Sequence, residues 1–90
     1  MTRPNKIADL KSLGPKSQAM LERAGICTID RLREIGAVAA YAQAKRANGN
    51  VSLNLLWALE SALTGISWQQ VAREHRLSLL LALEQYEAAR

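Results

Sequence analysis

All five glycines of this 90-residue chain stand where a run of helix-spaced apolar residues stops: Gly14, Gly25, Gly36, Gly49 and Gly65. Glycine relieves the backbone at a helix end and packs poorly inside one, so this punctuation cuts the chain into short helices. Ile7, Leu10 and Leu13 fit a first short helix, closed by Gly14. Pro15 suits the first position of a second helix, about Pro15 to Ala24, whose inward face is Met20, Leu21 and Ala24. Gly25 stops it and Ile26 packs back. Thr28 is an N-cap for Ile29, Leu32 and Ile35. Gly36 ends or kinks that helix, and another runs from about Ala37 to Ala47, with alanines 37, 40, 44 and 47 along one narrow side. Asn48-Gly49-Asn50 is a turn signal. Ser52 caps a helix from about Leu53 to Thr64. Its apolar face is Leu55, Leu56, Leu59 and Leu63, with Trp57 at the edge and Glu60 inside the arc. A carboxylate there predicts hydrogen-bond partners and a structural role.

Ser67 with Gln70 three residues on is a capping-box pattern that opens the last segment. Residues 68–89 read as one long helix, or as two with a bend near Ala72, because Trp68 and Val71 share no stripe with the later leucines. Leu77, Leu79, Leu80, Leu81 and Leu83 spread over about 200° of a regular helix wheel. That width predicts a helix that is either central or partly buried against a second subunit. Leu79, Leu83 and Tyr86 are the candidate protein-interface residues, with a homodimer as one outcome. Ala and Leu together supply nearly a third of the chain, while Val, Ile and Thr are few and scattered. The expected fold is all-α, a compact bundle of five to seven short helices in a single domain over residues 1–90, with 1–5 frayed.

One segment carries chemistry. Leu10 to Ile26 resembles a helix-hairpin-helix motif, with an apolar helix end, a tight glycine turn and a second helix closing on Ala24-Gly25-Ile26. The start of that second helix leaves backbone N–H groups unpaired at the positive end of the helix dipole, which suits a DNA phosphate. Gly14, Lys16, Ser17 and Lys11 are the candidate phosphate-binding residues. The hairpin departs from the usual Gly-apolar-Gly: it reads Gly14-Pro15-Lys16, and proline removes one donor. A weaker echo, Leu32-x-x-Ile35-Gly36, has neither lysine nor hydroxyl after its glycine. Residues 1–50 hold nine Lys/Arg against four Asp/Glu, whereas 51–90 hold three against four, so the hairpin lies in the basic half. Contacts of this kind go to the DNA backbone and not to base edges.

Enzyme chemistry finds no support in the pattern. No nucleophile-elbow, Walker-type or zinc-ligand spacing occurs. His75 reads as solvated, Cys27 as a small buried residue, and serines 12, 17, 52, 61, 67 and 78 as caps and surface. A single cysteine makes neither an internal disulfide nor a zinc site. No cofactor is expected. No apolar run approaches the roughly 20 residues of a membrane span and no charged-then-apolar leader opens the chain, so a cytoplasmic protein without membrane contact is expected.

A wider resemblance covers about Ile7 to Glu84. Leu13-Gly-Pro-Lys-Ser17, Ala24-Gly-Ile26, Leu32 to Tyr41, Ser52 to Gly65 and then Trp68 are similar, in order and spacing, to the C-terminal domain of the TfoX/Sxy competence-regulator family. The resemblance implies an all-helical domain of helix-hairpin-helix character with a turn after Val71. It implies a non-catalytic regulator linked to competence gene expression and DNA transformation, working with an activator of the cyclic-AMP receptor type. It also implies a further N-terminal α+β domain in full-length members, which these 90 residues do not contain. The alternatives are a DNA-binding hairpin module unrelated to competence and a stand-alone protein-interaction domain.

Overall fold

The computed structural model describes Ile7, Leu10 and residues 12–89. Among these, every regular element is helical: α1 (Pro15–Arg23), α2 (Ile29–Asn48), α3 (Leu53–Thr64), α4 (Trp68–Gln70) and α5 (Arg76–Ala88), with a π-helical segment, Val71–His75, between the last two. Since α4, the π-helical segment and α5 follow without a break, the described chain forms four helical rods. Four rods are fewer than the expected five to seven short helices, because residues 68–88 run on as one. Gly36, with non-helical φ and ψ, kinks α2 as its position implies.

Local residues explain the ends. After α1, the Gly25 N–H donates to Glu22 O and the Ile26 N–H to Leu21 O, both at 2.9 Å. This is the paired closure that needs a left-handed residue, supplied by Gly25 at φ 83°. Leu21 and Ile26 are both fully buried, so the stop also docks the helix on the core. The Thr28 hydroxyl accepts the Arg31 N–H at 3.1 Å and the Ser67 hydroxyl accepts the Gln70 N–H at 3.2 Å, as N-caps do.

Helix α2 packs against α1, α3 and α5. Ala37, Ala40 and Ala44 are buried along it, and their small side chains let neighbouring helices approach closely. Gly36, at φ 84° and ψ 169°, makes this burial achievable. On an unbroken helix Ala37 would sit about 140° around from Leu32. The bend resets the phase, and Leu32 and Ala37 both reach the core.

The π-helical segment does the same for the last rod. On a regular helix Leu79 and Leu83 would lie about 80° and 120° from Val71; one extra residue in a turn takes back about 100° and leaves them within roughly 20° on either side of it. Val71, Leu79 and Leu83 are all buried accordingly.

Long-range polar contacts tie the rods together. Asn48 Nδ2 donates to Met20 O at 2.9 Å and to Ala44 O at 2.8 Å, while its Oδ1 accepts from Arg23 Nη1 at 3.0 Å. The turn residue is thus also a clamp between α1 and α2. The Tyr41 hydroxyl donates to Val51 O at 2.9 Å, holding α2 to the loop before α3.

Burial, and secondarily the Glu87 carboxylate, push the Tyr41 phenol above its usual range. The neutral phenol is therefore favoured by folding. Its contribution is complete below the unfolded value near 10 and is lost as pH rises through the folded value. Tyr41→Phe should cost about 1 kcal/mol at neutral pH through the lost hydrogen bond. The gap to wild type, read from urea midpoints, should narrow by about pH 11; a gap independent of pH would contradict this account.

Candidate functional site

The first turn of α1 is built as its sequence implies. Gly14 is the N-cap in extended conformation, without a side chain to satisfy the helix, and Pro15 follows. The first intrahelical bond runs from the Gln18 N–H to Gly14 O at 2.9 Å. The backbone N–H groups of Lys16 and Ser17 precede that bond and lack a partner within the helix. Lys16 is exposed and Ser17 half-buried. Lys11 lies outside the described residues. So does most of the segment before Gly14, and with it the first helix of the expected hairpin.

The first turn of α3 comes to the same place. Ser52 is its N-cap, and its hydroxyl makes no capping bond. A cleft of about 450 Å³ is lined by Lys16 and Ser17 of α1, by Ser52 and Asn54 at the start of α3, and by Met20 and Leu55 among apolar residues. Two helix N-termini, one lysine, two hydroxyls and two amides, those of Asn50 and Asn54, thus line one depression. Backbone and side-chain donors of this kind suit an anion of phosphate size. Sequence reasoning identified the α1 half. The α3 half, some 35 residues further on, has only the Ser52 cap as a local sign.

The expected protein-interface residues require correction. Leu79 and Leu83 are each only 7% exposed and belong to the core. Tyr86 is half-buried against that core, and its hydroxyl accepts a bond from Gln43 Nε2 at 3.4 Å. The apolar residues that α5 leaves in solvent are Leu77 and Leu81, 72% and 51% exposed. The phase shift at the π-helical segment is the reason.

Four smaller expectations also change. Cys27 is exposed. Glu60 is half-exposed. His75 is half-buried at the end of the π-helical segment. Ser61, read as surface, is buried, and its hydroxyl meets that of Ser12 at 2.8 Å. The pair lines a second cleft, of about 590 Å³, beside Ile66 and the half-exposed Trp68. No local pattern could have announced a contact between residues 49 positions apart.

Among the described residues no group of three or more His, Cys, Asp or Glu side chains could hold a metal ion. No helix among them is long and apolar enough to cross a membrane.

Residues 3–83 match the family model described as the TfoX C-terminal domain. The chain is 31% identical over 81 residues to the DNA transformation protein TfoX of Haemophilus influenzae, covering 90% of this chain and 37% of that protein. It is 28% identical over 76 residues to the DNA transformation protein TfoX1 of Aliivibrio fischeri, covering 83% of this chain and 36% of that one. The chain thus spans little more than a third of these relatives. The fold is similar to the crystal structure of an uncharacterized protein from Listeria monocytogenes. The TM-score is 0.77 at 26% identity, over 93% of this chain and 94% of that one.

Proposed function

The chain belongs to the TfoX C-terminal domain family, and from that membership we propose that it serves DNA transformation as a non-catalytic regulatory module. The observation that carries this reading is the family match from residue 3 to residue 83, which takes in all of α1 to α4 and most of α5. Deleting its gene should lower both transformation frequency and competence-gene transcripts in the host; unchanged values for both would overturn the reading.

Within that role, the cleft between the starts of α1 and α3 is the proposed contact with the DNA backbone, used in the manner of a helix-hairpin-helix. An activator of the cyclic-AMP receptor type is the proposed protein partner at the promoter. The cleft supports the first of these because its donors are mostly backbone and hydroxyl groups. Such groups hold phosphate oxygens without reading sequence.

Fluorescence anisotropy of labelled duplex DNA at several salt concentrations tests the contact. About three neutralised phosphates give a log–log slope near −3. Lys16 is exposed, so Lys16→Glu should leave the helical circular dichroism unchanged and weaken binding about tenfold or more. Binding that is absent at low salt, or indifferent to Lys16→Glu, removes the cleft as a DNA contact. It leaves the family-level role to the genetic test.

A further inference from the structure

Leu77 and Leu81, four residues apart, form an exposed apolar stripe on α5. Glu84 and Ala88 continue the same face at helical spacing, and both are exposed. The charges along this rod are segregated. Arg73 and Arg76 stand ahead of the leucines and Glu84 and Glu87 stand after them, all four exposed. None of the four makes an ion pair among the described residues, where the one salt bridge joins Arg31 to Glu34. The arrangement runs against the helix itself. Glu87 lies in the last turn, where no basic residue is present and where the negative end of the dipole disfavours a carboxylate.

A second α5 laid antiparallel would resolve each of these features, and we propose that this face binds a second copy of the chain across a two-fold axis. The spacing supplies the register. Arg73 with Glu87, and Arg76 with Glu84, are both centred on position 80. With the axis level with that position, Arg76 of each copy stands beside Glu84 of the partner subunit, and Arg73 beside Glu87 of the partner subunit. Leu77 and Leu81 of the two copies then alternate along the contact at intervals of two residues, about 3 Å, so that they interdigitate. Glu74, the acidic residue at the basic end, falls level with position 86. The two helix dipoles oppose and cancel. This is an isologous contact, the same patch on both subunits. Helix α5 is about 20 Å long, so the contact is smaller than a standard interface and the dimer is a weak one.

Sedimentation equilibrium from about 1 µM to about 1 mM tests the proposal. The mass should rise from the 9.9 kDa monomer toward twice that value. Arg76→Glu and Glu84→Arg each place like charges together and should weaken association at least about tenfold. Mixing the two single variants should restore it, because each then meets its opposite on both sides of the axis. Leu77→Ser should weaken it in every background. All three residues are exposed, so circular dichroism should be unchanged throughout. A wild type that stays monomeric over the whole range overturns the proposal. A dimer indifferent to these substitutions, or variants that fail to complement when mixed, overturns it equally.

Discussion

Leu56→Ala should lower the unfolding free energy by about 2–5 kcal/mol, the range for removing a buried leucine from a packed core. Leu56 is fully buried in α3, and the core around it draws on all four rods. A domain of this size buries a modest share of its surface and has only about 5–15 kcal/mol in hand. The melting temperature should fall by about 4–8 °C for each kcal/mol lost. Two tryptophans make the measurement direct. Trp57 is buried and Trp68 half-exposed, so Trp68→Phe leaves Trp57 as the single reporter of the core. A urea midpoint that drops while the slope stays constant is the expected result. A loss below 1 kcal/mol would mean that the neighbours collapse into the space and that the core is less tightly specified than its burial implies.

Gly36→Ala is expected to cost about 1–3 kcal/mol, for a different reason. A methyl group at this position meets nothing within 4 Å, so packing raises no objection. The cost lies in the backbone, whose φ of 84° and ψ of 169° fall in a region reserved almost wholly for glycine. The alternative for the variant is to straighten α2, which would turn Ala37 and Ala40 away from the core that Leu32 occupies. The two origins separate cleanly. D-Alanine placed at position 36 by chemical ligation accepts positive φ and should cost nothing or stabilise the fold, whereas a steric cost would appear with either hand.

The helix ends were readable because the signals are local. Thr28 and Ser67 cap as expected, and Gly25 with Ile26 closes α1 through contacts spanning only a few residues. The family was readable because Ser52 to Gly65 and Trp68 keep a distinctive order along one continuous stretch. What escaped was non-local. Asn48 looks like an ordinary turn residue until the carbonyl of Met20 and the guanidinium of Arg23 are brought to it. Ser12 and Ser61 look like surface serines until the fold joins them. The last rod is an intermediate case. The failure of Trp68 and Val71 to share a stripe with the later leucines was visible and was the signature of the π-helical segment. Without that shift the wide spread of leucines did not say which of them face outward: Leu79 and Leu83 were expected to, where the exposed pair is Leu77 and Leu81. In the candidate cleft, the α1 side was carried by Gly14-Pro15-Lys16, while the α3 side depends on how two separate helices start at one place.

The wide turn at Val71–His75 also bears on how this chain is matched to its kin. A π-helical turn is, in effect, a one-residue insertion absorbed by a helix that goes on unbroken. A relative built with a regular turn there would need its core leucines one position earlier to bury the same face. Superposed in space, the two chains would coincide on both sides; written as text, they would fit only with a gap in the middle of a helix, where gaps are least expected. Sequence similarity across residues 71–75 would then understate kinship on the C-terminal side, and conserved positions counted there without the gap would fall on the wrong face of α5.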